Sequence, residues 1–96
     1  MISKIVKFTV KPEQKEAFKD ALQRNFEGTQ SEPGSCGMHL YTDGEHPDTF
    51  IAIEHWQDQI AFEAHMAQPY TQAMLAMLPD VLAAPIEIVD LAPLNS

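Results

Sequence analysis

The hydrophobic pattern of the chain changes period several times, and each change marks an element. From Ile2 to Val10, β-branched and aromatic residues are interleaved with lysines until Lys11-Pro12 breaks the run, which predicts a first strand. Between Pro12 and Gly28 the apolar residues move to helical spacing, with Glu13 and Glu16 in the first turn and a glycine as the stop, so a first helix follows. Thr29 to Gly34 is turn chemistry, and Ser35 to Asp43 alternates as a second strand leading into a loop that runs to Asp48. Thr49 to Trp56 reads as a third strand, and Asp58 is a good N-cap for a helix over Gln59 to Met66. Pro69 can open a further helix carrying Tyr70, Ala73, Met74, Met77 and Leu78 on one face, which Pro79 is expected to stop. Ile86 to Leu91 is a last strand.

This order predicts an α+β fold of the ferredoxin-like βαββαβ kind, an antiparallel sheet with its helices on one face. At 96 residues the chain is expected to form one domain over residues 1–96. In a monomer of this plan the other sheet face should be polar. The third strand contradicts that, because Phe50, Ala52, Glu54 and Trp56 point one way and Thr49, Ile51, Ile53 and His55 the other, leaving Phe50 to Ile53 apolar on both sides. Ile5, Cys36, Met38 and Leu40 add to the expectation that neither face of the sheet is wet. A second copy laid on the bare face would cover it, so the expected assembly is a homodimer through the sheet face, a dimeric α/β barrel.

Charge narrows the partners. Fourteen acidic against six basic residues give a net charge of −8, which disfavours nucleic acid and anionic membranes. No apolar run approaches the roughly 20 residues of a bilayer span, and the N-terminus alternates instead of forming a signal-type block, so the expected location is cytoplasmic. Cys36, the single cysteine, has no basic neighbour in sequence and reads as a small apolar filler.

A few polar residues fall on apolar faces, and these are the candidates for chemistry. On the first helix, with Phe18 as zero and about 100° per residue, Asn25 falls near −20°, in the centre of an apolar arc that runs from Ala17 near −100° through Ala21 and Leu22 to Phe26 near +80°. A carboxamide there either satisfies a neighbouring group or faces a polar ligand. On the second helix His65 falls one turn beyond Ala61, inside the apolar arc. Glu54 and Trp56 share one face of the third strand. If that face is the covered one, Asn25, Glu54, Trp56, His65 and Tyr70 converge between sheet and helices, and Glu54 with His65 makes an acid/base pair or a structural pair, unless Glu54 faces solvent at a barrel rim. His39 and Tyr41 share a face of the second strand and could line the same space, with Phe50 helping to hold a ring. Met66, Met74 and Met77 are core residues that make an adaptable pocket wall. There is no HxH, HExxH or cysteine pair, so no metal is expected.

With these residues in place the chain resembles the antibiotic biosynthesis monooxygenase family of small dimeric ferredoxin-like proteins. The carriers are Val10-Lys11-Pro12, the Glu32-Pro33-Gly34 turn, Glu54-x-Trp56, and the run from Phe62 through His65 to Pro69-Tyr70, so the likeness covers nearly the whole length to Leu91. The resemblance implies a dimer with a pocket between sheet and helices in each subunit. It also implies one of several activities: cofactor-independent oxygenation of anthrones and hydroquinones, haem degradation, or processing of a phosphorylated autoinducer-2 signal. The haem branch is the least similar, since its iron-binding histidine aligns with Met74. The signal-processing branch is similar in Asn25, Gly28, Glu32, Gly34 and Glu54, but the chain has a single arginine, Arg24, for a phosphate, and Ser31 stands where many members carry a basic residue.

The expected function is therefore oxidation of a small phenolic, quinol or anthrone-like substrate by O₂ with no cofactor. His65, assisted by Glu54, would accept the phenolic proton; Asn25, His39, Tyr41, Phe50, Trp56, Tyr70 and Met74 would bind the substrate. Two alternatives use the same pocket: isomerisation of a small keto/enol metabolite, and ligand binding without chemistry.

Overall fold

The computed structural model describes residues 1–95. Four strands, β1 (Ile2–Thr9), β2 (Ser35–Thr42), β3 (Thr49–Trp56) and β4 (Glu87–Leu91), form one antiparallel sheet in the order β2-β3-β1-β4. Three helices accompany it: α1 (Lys15–Thr29), preceded by a 3₁₀ turn at Pro12–Gln14, α2 (Gln59–Met66) and α3 (Pro69–Val81). This is the expected ferredoxin-like α+β arrangement.

The registers fix which side chains meet the helices. Lys4, Val6 and Phe8 pair with Glu54, Ala52 and Phe50, and these alternate positions turn toward the helical layer. There Phe18 of α1 is fully buried, its ring 5.0 Å from that of Phe8 and 5.6 Å from that of Phe50. Val6, Val10, Leu22, Met38, Ala52, Met74 and Val81 complete the core. The opposite face carries Ile5 against Ile53 and Lys7 against Ile51. On its flanks, Val89 pairs with Ile5 and Tyr41 with Ile51, and these two are 48% and 54% exposed. The two-sided apolar character of β3 is thus present in three dimensions: one side is covered by helices, the other is open.

Local chemistry explains the boundaries. Asp58 caps α2 by accepting a hydrogen bond from the Ala61 amide at 2.9 Å. Pro69 starts α3, where a missing amide costs nothing. Contrary to expectation Pro79 does not end this helix, which runs on to Val81. The proline removes one amide within the last turn, while Val81 is buried in the core and the Lys11 amide bonds its carbonyl at 2.9 Å, so the final residues stay helical. Among the described residues no helix is long and apolar enough to cross a membrane.

Candidate active site

Between the helix-covered face of the sheet and the helices lies a cavity of about 110 Å³. Val6, Phe8, Met38, Ala52 and Glu54 form its sheet side, and Leu22, Asn25, Phe62, His65, Met66, Thr71, Met74 and Leu75 its helix side. Lys4, Ile86 and Ile88 close the end near β4, where Ile88 is 56% exposed and marks the rim. The walls are overwhelmingly apolar. An engineered apolar cavity of about 150 Å³ accommodates benzene, so this space has the scale of a single aromatic ring.

His65 comes from the buried side of α2 and is 3% exposed. Its Nδ1 lies 2.8 Å from Oε2 of Glu32, and the same carboxylate oxygen accepts a 2.5 Å hydrogen bond from the Tyr70 hydroxyl. An ionised carboxylate only accepts, so the proton of a neutral imidazole sits on Nδ1 and the lone pair on Nε2. Every side-chain nitrogen or oxygen wholly shut off from solvent has a partner among the described residues. Nε2 has none, so it is not wholly shut off, and His65 is one of the residues that line the cavity. Burial, together with the Glu32 carboxylate, pushes the Tyr70 phenol above its ordinary range, so it remains a hydrogen-bond donor.

Glu32 is delivered by the loop after α1. The loop is pinned at both ends, with the Glu32 amide on the Thr29 carbonyl at 3.0 Å and the Gln57 amide on the Gly34 carbonyl at 2.8 Å. Two glycines allow the approach. A side chain at Gly28 would collide with the Tyr70 ring, and one at Gly34 with Ala61 of α2.

Glu54 is 6% exposed, and its Oε1 accepts a 3.0 Å hydrogen bond from Nε1 of Trp56 two residues along the same face. The fully buried indole also packs on the imidazole, with ring centroids 4.5 Å apart. Trp56 therefore steadies both groups. The second oxygen of Glu54, unbonded like Nε2, is not wholly shut off, and Glu54 lines the cavity. Asn25 is fully buried and donates from Nδ2 to Oγ1 of Thr71 at 3.0 Å, while the Thr29 hydroxyl bonds the Asn25 carbonyl oxygen at 2.7 Å.

The sequence expectations fare differently at each position. Asn25, Glu54, His65 and Met74 meet at the cavity. Trp56 and Tyr70 stand behind that wall, holding Glu54 and Glu32 respectively. Phe50 packs on Phe18 in the core instead. The expectation that His39 and Tyr41 share this space is corrected: β2 places Met38 and Leu40 opposite Glu54 and Ala52 on the covered face, so His39 and Tyr41, opposite Ile53 and Ile51, lie on the open one. The more apolar pair takes the buried side, after a register shift between Ser35 and Met38 where Gly37 adopts φ +124°. The proposed pairing of His65 with Glu54 is also replaced, since the imidazole bonds Glu32. Glu32, Thr71 and Lys4 were missed as site residues. The signal for Glu32 was present in the Glu-Pro-Gly turn; Thr71, two residues after Pro69, falls at no distinctive spacing. Cys36 is exposed rather than a filler of the interior.

Comparison with known proteins follows the same lines. Residues 1–77 match the family model described as antibiotic biosynthesis monooxygenase. The Bacillus subtilis protein named "Putative monooxygenase YcnE" is 29% identical over 80 residues, covering 83% of this chain and 84% of that protein. Rv0793 from Mycobacterium tuberculosis superposes with a TM-score of 0.90 at 23% identity, over 99% of this chain and 96% of its own. A structure described as an antibiotic biosynthesis monooxygenase gives 0.92 at 22% identity, over 99% and 100%. The structural neighbours carry the fold, while the family match and the named relative support a monooxygenase-like function on a small molecule.

Proposed function

Because the chain belongs to the antibiotic biosynthesis monooxygenase family, we propose that it oxidises a one-ring phenol or quinol with O₂, the substrate taking the place of a cofactor and Nε2 of His65 acting as the base. The observation that carries this reading is the 2.8 Å contact between Nδ1 and Glu32, which leaves the basic nitrogen free on a residue that lines a ring-sized apolar cavity.

In this reading the substrate hydroxyl gives its proton to Nε2, and Glu32 stabilises the imidazolium that results, as a carboxylate does for a catalytic histidine elsewhere. The electron-rich phenolate passes one electron to O₂, and the resulting radical pair combines at a ring carbon. The peroxide takes back the proton from His65, and loss of water across the C–OOH unit leaves a carbonyl. For a 1,4-quinol the sum is quinol plus O₂ giving hydroxyquinone plus water. Thr71, oriented by Asn25, and Glu54 are the polar groups positioned to hold the substrate oxygens, and the apolar walls exclude water. A second copy on the open sheet face belongs to the same reading, as Ile5, Ile51, Ile53 and Val89 form a surface suited to it.

The test is O₂ uptake above autoxidation by chelator-treated protein with hydroquinone and its alkyl derivatives, comparing the native chain with His65→Ala. Uptake that survives chelation and falls about 10²- to 10⁴-fold in the variant supports the base. Equal uptake by both would remove His65 from the role, and turnover retained without oxygen would favour an isomerase.

A further inference from the structure

Lys4 is one of six basic residues in the chain and lines the cavity. It sits in the middle of β1 on the covered face, directly across from Glu54, where the strand pattern calls for an apolar side chain. Its side chain is 15% exposed, and its Nζ lies over the Phe62 ring, 4.6 Å from the centroid. Its counterion is Asp90 of the edge strand β4, at 2.5 Å. The two partners are unequal: the Asp90 side chain is 74% exposed. An ion pair with one wet partner contributes little, whereas an ammonium held against an aromatic face and sheltered from water keeps a strong demand for an anion. A ligand carboxylate can therefore take the place of Asp90 at small cost, while Asp90 returns to water.

The placement sets the ligand class. Phe62 and His65 are one helical turn apart on α2, so their side chains emerge about 5 to 6 Å from one another, comparable to the width of one substituted ring. A ring in the cavity can present a hydroxyl to His65 and an acid group to Lys4.

We propose that Lys4 selects substrates bearing a carboxylate, so that the preferred ligands are phenolic or quinolic acids rather than neutral quinols. This rests on the oxygenase reading only in its turnover arm. The binding arm stands alone: anaerobic titration calorimetry with 2,5-dihydroxybenzoate and with hydroquinone, on the native chain, Lys4→Met, Lys4→Arg and Asp90→Asn. Expected is tighter binding of the acid than of hydroquinone, a ratio that falls about tenfold or more in Lys4→Met and is restored in Lys4→Arg. In Asp90→Asn, which removes the competing anion at an exposed position, the acid should bind about 2- to 5-fold tighter. A ratio unchanged by Lys4→Met, weaker acid binding in Asp90→Asn, or no saturable binding of either ring overturns the proposal. Oxygen uptake by the same proteins reports separately: acid selectivity in binding without uptake keeps Lys4 and refutes the oxygenase, and uptake without acid selectivity does the reverse.

Discussion

Two carboxylates with sheltered side chains serve the same site, and their surroundings assign them different work. Glu32 reaches the site from a loop, and one of its oxygens is occupied by two donors, His65 and Tyr70. Glu54 projects from the middle of a strand, bonds only the Trp56 indole among the described residues, and lines the cavity with its other oxygen unbonded. The first is a positioning group that acts through the histidine. The second is placed to meet a ligand. Burial and charge are the same in kind for both; what separates them is how many donors are already satisfied, and that count rather than burial distinguishes a scaffold carboxylate from one available for chemistry.

Substitutions can break this contrast. The largest effect is expected at the shared imidazole, where His65→Ala removes the acceptor on which both arguments depend. Next is Glu32→Gln, which keeps the volume but offers a neutral amide to Nδ1 and Tyr70. Turnover should drop about 10²-fold, through kcat with KM nearly constant, because the substrate does not touch Glu32. Glu54→Gln should act on the other parameter, raising KM by about tenfold with folding stability within about 1 kcal/mol, since the amide oxygen can still accept from Trp56. Steady-state kinetics beside thermal melts separates the two outcomes, and a KM effect at Glu32 or a pure kcat effect at Glu54 would reverse the assignment.

Smaller effects sharpen the account of the Glu32 cluster. Gly28→Ala drives a methyl group into the Tyr70 ring and should cost about 1–3 kcal/mol in a denaturant titration. Tyr70→Phe removes one hydrogen bond, worth about 1 kcal/mol below pH 10. The Tyr70 phenol holds its proton more tightly when folded, so the unfolded state ionises first, and stability should fall as pH rises above about 10, by up to about 1.4 kcal/mol per unit. Tyr70→Phe should flatten that decline; an equally steep decline in the variant would place its cause elsewhere.

The contrast also marks where the sequence could be read. Strand period puts Glu54 beside Trp56 and helical period puts His65 and Asn25 on inner faces, so these residues are legible one element at a time. β3 and α2 have the boundaries that their patterns predict, because Asp58 and the β-branched run act locally. Glu32 is not legible in that way, since its partner lies 33 residues downstream and a turn has no periodic face. His39 and Tyr41 were misplaced for a related reason: alternation states which residues share a face but not which face is covered, and Met38 and Leu40 decide that only through pairing with β3. Lys4 was hidden by the opposite effect, because a lysine in an alternating strand reads as solvent-facing until Glu54 and Phe62 are placed beside it.

The central claim, that Glu32 fixes the imidazole so that its basic nitrogen faces the cavity, is tested most directly by nitrogen-15 NMR of the histidine side chains at neutral pH, with His65 assigned by substitution. For the neutral form of the ring, a proton on Nδ1 with a pyridine-like Nε2, converted to mixed tautomers in Glu32→Gln, is the expected result. A proton on Nε2 in the native chain, unaltered by Glu32→Gln, would contradict it.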